Sequence, residues 1–187
     1  MAFQFKEQFK AIISVICGSE IDKNTEKKAV EIGKLLAKNN FAIACGGLFG
    51  GMEAVCKGAK QENGFTVGIV PSKKKSVANK YVDIAIPVPF SQARNLIVVL
   101  TGDACVAIGG KAGTLSEICF AWIYQKPIIA LSSVEGWSNK LADKKIDERR
   151  SDKIYDAKTP QDVIRYLNEL LKVGFSSKTN LDFIDKF

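Results

Sequence analysis

Two glycine-rich turns and two ionisable side chains are the residues of this chain whose types and spacing could do chemistry. Gly46-Gly47-Leu48-Phe49-Gly50-Gly51-Met52 and Gly109-Gly110-Lys111-Ala112-Gly113-Thr114 each join a short apolar run to a stretch with helical periodicity. Glycines in such turns let the backbone approach a ligand, and the amides that open the following helix face whatever lies in front of it. The chemistry this implies is the holding of an anion, above all a phosphate. Gly18 and Ser19, at the exit of an earlier apolar run, are candidate contacts of the same kind. Arg94 falls in the first turn of one expected helix, and Glu117 lies three residues after Thr114 in another, off that helix's apolar stripe. Helical side chains lean toward the N-terminus, so the Glu117 carboxylate is expected to overhang the second glycine turn. A carboxylate, a guanidinium and two sets of backbone amides around one groove can hold a phosphoribosyl group and assist the loss of its base. The plainer readings are that the glycines serve tight packing, Glu117 complements its helix dipole and Arg94 makes a surface ion pair.

Composition removes several other chemistries. The chain has no histidine, which excludes Ser-His-Asp and Cys-His catalysis. Its cysteines, Cys17, Cys45, Cys56, Cys105 and Cys119, are scattered without a C-x-x-C pair. Neither a disulfide framework nor a metal site is expected from them, and buried thiols in a reducing cytoplasm is the reading they support. No apolar stretch approaches the roughly 18–20 residues of a membrane span, so no signal peptide or anchor is expected and the location is read as cytoplasmic. A net charge of +7 favours anionic partners, yet only Lys73-Lys74-Lys75 forms a run, without interleaved aromatics, so nucleic acid is not an expected partner. Leu48 stands where G-x-G-x-x-G requires glycine, and no G-x-x-x-x-G-K-[ST] occurs; an NAD site and P-loop ATP hydrolysis are both unsupported.

The elements that must position these residues follow from periodicity. Buried strands are expected at 12–16, 41–45, 66–70, 82–88, 104–108 and 127–131, with proline closing the third and fourth. Helices are expected from an Asn24 or Thr25 cap to about Lys38, after Gly51 with Met52, Val55, Cys56 and Ala59 inward, and from a Ser91 cap to about Leu100. Leu115, Ile118, Cys119, Trp122 and Ile123 give the helix after the second glycine turn its buried stripe. Thr159-Pro160 with Asp162 starts a last helix running to about Val173, residues 135–153 read as an exposed loop with a partial helix, and the tail after Gly174 is expected to fray. Alternating apolar strands and amphipathic helices in 187 residues predict one domain with a core over about 10–173, a three-layer α/β/α sandwich around a Rossmann-like parallel sheet. Ligands of such sheets bind beyond the carboxyl ends of the strands. A helix of about ten residues descends roughly 15 Å and a five-residue strand climbs roughly 17 Å, so Arg94 and Gly110 are expected at the same sheet end.

The first glycine turn, Arg94, and Gly109-Gly110-Lys111-Ala112-Gly113-Thr114-Leu115-Ser116-Glu117 together resemble the LOG-like Rossmann superfamily over roughly residues 12–131. That group includes the phosphoribohydrolases that release base and ribose phosphate from cytokinin nucleoside 5′-monophosphates, long mislabelled lysine decarboxylases, and the molybdenum-cofactor carrier proteins. The resemblance assigns Arg94 and Glu117 to the catalytic arginine and glutamate. Asn95 stands where those hydrolases have lysine, Gly109 replaces a proline, and Lys111 replaces a glycine of the turn. Ala93-Arg94-Asn95 and Gly113-Thr114-Leu115-Ser116-Glu117 look more like the carrier branch. The resemblance thus implies a protein that binds a phosphate-bearing nucleotide or nucleotide-like cofactor, the molybdenum cofactor or a nucleoside monophosphate, with no cofactor required. The alternative is a phosphoribohydrolase in which Arg94 positions the sugar phosphate while Glu117 stabilises oxocarbenium charge or activates water. A third reading is a vestigial groove on a protein that works through its oligomer surfaces. Lys111 either contacts a phosphate or points to solvent, and relatives of this kind are commonly homodimers.

Overall fold

The computed structural model describes residues 8–172. These form strands β1 Ala11–Cys17, β2 Phe41–Cys45, β3 Thr66–Val70, β4 Ile84–Pro87, β5 Ala104–Ile108, β6 Ile128–Leu131 and β7 Tyr155–Ala157. The helices are α1 Lys23–Lys38, α2 Gly51–Lys60, α3 Asn95–Thr101, α4 Ala112–Ile123, α5 Trp137–Leu141 and α6 Pro160–Lys172. The strands lie side by side in the order β4-β3-β2-β1-β5-β6-β7, and all six pairings are parallel. Helices cover both faces, which is why β2, β5 and β6 read as unbroken apolar runs, and β3 as one after Thr66: every residue in them is buried. Side-chain alternation splits the core. Ile13, Val15, Ile43 and Val106 pack toward one face with Ile32 and Leu36 of α1, Val55 of α2 and Leu167 of α6. Ile16, Cys105 and Ala107 pack toward the other with Val98 and Val99 of α3 and Ile118 and Trp122 of α4. This is the three-layer Rossmann-like sandwich.

The chain winds outward from β1 through β2, β3 and β4, then returns to start β5 on the other side of β1. The winding therefore reverses between β1 and β5, and a crevice opens beyond their carboxyl ends. The candidate site features reach this rim: the exits of β1, β2 and β5 and the approach to α3.

Several local expectations differ from the structure. β4 is shorter than 82–88 because Asp83 turns its carboxylate onto the Thr66 amide (2.8 Å) and hydroxyl (3.1 Å) at the head of β3. β7 was not expected, since three residues with Asp156 in their centre leave no apolar run. The cap of α1 is Asp22, whose Oδ1 accepts from the Thr25 amide at 2.7 Å, rather than Asn24 or Thr25. Ser91 does not cap a helix: it opens a 3-10 turn, Ser91–Arg94, that leads directly into α3. The loop at 135–153 carries α5 and is held by Arg150, which donates to the Lys126 carbonyl at 2.7 Å and stacks on Trp122. Thr159 and Asp162 exchange hydrogen bonds at the head of α6 as a capping pair. Val173 and the tail after Gly174 lie outside the described residues, and no helix of the described residues is long and apolar enough to cross a membrane.

Candidate functional site

A cavity of about 320 Å³ occupies the crevice at the switch point, lined by Cys17 to Glu20 after β1, Gly46, Leu48 and Met52 after β2, Gln92, Arg94 and Asn95 before α3, and Lys111, Gly113, Thr114 and Glu117 after β5. Arg94 ends the 3-10 turn and is only 8% exposed. Its guanidinium passes beneath Gly46, where a Cβ would stand 2.3 Å from Nη1, 2.7 Å from Nη2 and 2.7 Å from the Met52 Sδ. Gly46 is therefore the residue that gives the arginine its place. Arg94 Nε and Nη1 are buried without a hydrogen-bond partner among the described residues. Burying a cation without a partner costs several kcal/mol, so the two nitrogens call for an explanation, a bound ion being one.

Glu117 lies on the buried side of α4. The inward residues of this helix are Thr114, Glu117, Ile118, Ala121 and Trp122, while Ile123 is 43% exposed. The stripe expected from large apolar residues is thus turned by about one position: the small Thr114 and Ala121 fit closest to the sheet. Glu117, expected off the stripe, is 6% exposed. Burial pushes its carboxyl up to about 8, and the positive charge of Arg94 opposes the shift only in part. The shift favours the carboxylic acid, a donor as well as an acceptor, over the carboxylate.

Asn95 is buried and donates to Ser116 Oγ at 2.9 Å and more weakly to Gln92 Oε1 at 3.3 Å. It ties the start of α3 to the first turn of α4, fixing the distance between the arginine and the second glycine turn. Lys111 has an extended backbone (φ −107°, ψ −155°), so a lysine is accommodated without strain. Its ammonium pairs with Glu20 at 2.7 Å across the cavity mouth, and both side chains are at least four-fifths exposed.

The glycines divide by role. Gly18, Gly46 and Gly113 line the cavity with Ser19, Met52 and Thr114, whereas Gly47, Gly50, Gly51, Gly109 and Gly110 lie behind it. Gly50, at φ 67°, is pressed against the β1 exit, where a Cβ would lie 2.1 Å from the Ser19 carbonyl oxygen. The Gly51 amide donates to the Gly18 carbonyl at 3.0 Å and the Gly47 amide to Cys45 Sγ at 3.4 Å, so two amides of the first turn are already engaged. Asn79 holds the Leu48 carbonyl at 2.8 Å. The Gly109 amide donates to Ser138 Oγ at 2.7 Å, docking α5 behind the second turn. Gly113 is the open one, its hypothetical Cβ meeting only Gln92 Oε1 at 3.7 Å. Sequence reasoning passed over Glu20, Gln92 and Asn79; the first two sit within two residues of Gly18 and Arg94, a signal that could have found them, and Asn79 carried none. Among the described residues no group of three or more cysteines or carboxylates could hold a metal ion.

A parallel sheet with a switch-point crevice that carries a buried arginine and glutamate between glycine turns defines a Rossmann-like protein of the LOG-like superfamily. Within it, the chain belongs to the SLOG cluster4 family, whose model matches residues 10–164. The cytokinin riboside 5′-monophosphate phosphoribohydrolase of Mycobacterium tuberculosis is 28% identical over 130 residues, 62% of this chain and 70% of that protein. The solved structure of the molybdenum cofactor binding protein from Rippkaea orientalis is 33% identical, with a TM-score of 0.76 over 86% of this chain and 96% of that one. The molybdenum cofactor carrier protein of Chlamydomonas reinhardtii is 27% identical, with a TM-score of 0.75 over 86% of this chain and 98% of that one.

Proposed function

We propose that the protein binds a phosphate-bearing nucleotide or nucleotide-like cofactor in the cavity between β1 and β5, with the molybdenum cofactor and a nucleoside monophosphate as the two ligand candidates. One observation carries this: a guanidinium that is 8% exposed lines the cavity with two of its nitrogens, Nε and Nη1, buried and unpartnered, where α3 and α4 converge. Such a group binds phosphate through charge-assisted hydrogen bonds. Gly18, Ser19, Gly46, Gly113 and Thr114 line the same space, and Met52 packs beside the arginine. Gly47, Gly50, Gly51, Gly109 and Gly110 act by holding the two turns in place, and Lys111 acts at the mouth. The volume of about 320 Å³ is at the small end of the roughly 300–1,000 Å³ typical of ligand sites, which suits a mononucleotide-sized molecule. The relatives whose printed names record binding or carrying of the molybdenum cofactor support the cofactor as cargo.

The second reading, N-glycosidic hydrolysis of a nucleoside 5′-monophosphate, is favoured by Arg94 and Glu117 sharing the cavity and by the mycobacterial relative. Burial of Glu117 restricts its part at neutral pH: a protonated carboxyl can give its proton to the departing base, but it cannot activate water or stabilise an oxocarbenium ion as an anion would. Asn95, committed to Ser116, supplies no ammonium in place of the hydrolases' lysine. Free thiols at all five cysteines support a cytoplasmic location, and the exposed Ile97, Leu100 and Ile123 on α3 and α4 support a homodimer. The test is incubation with a panel of nucleoside monophosphates and with the molybdenum cofactor, read by thermal shift and by chromatography for released base. Stabilisation without product is the expected result. Released base that disappears in Glu117→Gln would establish the hydrolase instead, and neither effect with any ligand would refute both.

A further inference from the structure

Cys45 and Cys56 line no part of the cavity described above, yet the fold sets their sulfurs 3.6 Å apart. Cys45 is the last residue of β2 and Cys56 lies in α2, so the pair spans the first glycine turn. Both are fully buried on the side of the sheet that also holds Cys17, whereas Cys105 packs on the other side and Cys119 is partly exposed on α4. Among the described residues they are the one pair of thiols within hydrogen-bond distance. The bonding around them is asymmetric. The Gly47 amide donates to Cys45 Sγ at 3.4 Å, so this sulfur is the acceptor and the Cys56 S–H the donor across the 3.6 Å contact. That bond pulls the Cys45 thiol below its ordinary value, with the Gly47 amide and the Arg94 charge adding to the pull against burial. The same bond, together with burial, holds Cys56 as the thiol. Cys45 also precedes Gly46, which lines the ligand cavity with Cys17, so a water-sized oxidant in the cavity comes within one residue of the pair.

We propose that Cys45 and Cys56 form a reversible dithiol switch: hydrogen peroxide closes them to a disulfide, and the bond clamps the first glycine turn. The Cys45 sulfur attacks one peroxide oxygen, the O–O bond breaks, and hydroxide leaves with the Cys45 proton as water, giving a sulfenic acid. The Cys56 sulfur then attacks the Cys45 sulfur, the S–O bond breaks, and hydroxide leaves with the Cys56 proton as a second water. Two electrons pass from the two sulfurs to the peroxide, and a thiol reductant returns them. A neighbour already in contact lets the reaction close to a disulfide before the first sulfur is oxidised further. An S–S bond of ~2.05 Å requires each sulfur to move by roughly 0.8 Å, a distance that side-chain rotation covers. The loop so closed contains Gly46, Leu48 and Met52, which line the cavity, so the redox state of a buried pair reaches the cavity wall through the turn it spans.

The test is exposure of the folded protein to hydrogen peroxide, followed by thiol blocking in denaturant and peptide mapping by mass spectrometry. The protein is expected to lose two of its five free thiols to a Cys45–Cys56 linkage and to regain both with dithiothreitol. Cys56→Ala forms no linkage, and Cys105→Ala, which removes a thiol from the opposite side of the sheet, forms it as the wild type does. Hydrogen exchange of residues 46–52 slows by about 10-fold or more in the oxidised protein and recovers on reduction. Loss of the Cys119 thiol alone, further oxidation of Cys45 without a linkage, or no reaction overturns the proposal. A linkage that leaves exchange at residues 46–52 unchanged overturns it too, because the bond then clamps nothing. These readouts involve no ligand, so their outcome is separate from that of the binding reading above.

Discussion

Replacing Gly46 by alanine should separate ligand affinity from stability. The added methyl would sit 2.3 Å from Arg94 Nη1, 2.7 Å from Nη2 and 2.7 Å from Met52 Sδ, where ordinary contacts begin near ~3.4 Å. These neighbours are the far ends of flexible side chains, so the guanidinium gives way by roughly 1 Å and the backbone stays. Overpacking of this kind costs about 1–3 kcal/mol, with the low end expected because Arg94 Nε and Nη1 break no hydrogen bond when they move. Ligand binding loses far more of its own free energy. A hydrogen bond to a charged group contributes about 1.5–3 kcal/mol, so one misaligned guanidinium contact weakens a phosphate ligand by about 10- to 100-fold. Gly113→Ala is the matched control. Its methyl meets only Gln92 Oε1, at an ordinary 3.7 Å, and a change of at most ~0.5 kcal/mol in stability is expected. Calorimetric titration with adenosine 5′-monophosphate at neutral pH and thermal unfolding of the same samples give both quantities. Wild-type affinity in Gly46→Ala, or equal losses of stability in the two alanine variants, would refute the reasoning that Gly46 exists to seat Arg94.

Three further outcomes are expected. Arg94→Met removes an unpaired buried charge and fills its space with an apolar chain, so the ligand-free protein gains about 1–2 kcal/mol while phosphate binding disappears; a loss of stability in urea titration would contradict it. Gly50→Ala drives a methyl against the Ser19 carbonyl at a positive φ and is expected to cost more than ~2 kcal/mol, or to prevent folding, as read by soluble yield and melting temperature. Glu117 makes stability depend on pH. Its carboxyl titrates at about 8 in the fold against 4.5 ordinarily, so below pH ~4.5 both states hold the proton, and between there and pH ~8 only the fold does. Folding stability therefore falls across that window by an amount on the order of 4 kcal/mol, which Glu117→Gln lacks; a stability difference between the two proteins that stays constant from about pH 5 to about pH 8 would count against a buried, protonated Glu117.

Much of the fold was legible because its strands are buried on both faces. Phe41–Cys45 and Ala104–Ile108 are apolar at every position, and no register question arises when both sides face helices. The three-residue β7 was not legible, since its pairing to β6 rests on backbone hydrogen bonds that Tyr155 and Asp156 do not advertise. That Arg94 and the second glycine turn share one sheet end was legible from path length, and the place of Glu117 over that turn from the lean of helical side chains; all three line the cavity. The burial of Glu117 was not, because α4 is apolar on most of its circumference and the stripe of largest residues is a poor guide to which side meets the sheet. Choosing the small Thr114 and Ala121 as the inward positions would have revealed it. Lys111 was ambiguous for want of a dihedral angle, and the structure supplies an extended one. The double use of glycine was equally hidden: Gly46 yields to a side chain, whereas Gly50 yields to another turn's backbone, and composition cannot separate the two.

The central claim is that the Arg94 guanidinium is the anchor for a ligand's phosphate. A crystal structure of the protein grown with adenosine 5′-monophosphate at neutral pH tests it most directly. The account predicts a phosphate oxygen accepting from the Arg94 guanidinium inside the cavity that Gly18, Gly113 and Thr114 also line. A phosphate bound instead on Lys73 to Lys75 or at the exposed Lys111, with Arg94 still unpartnered, would contradict it.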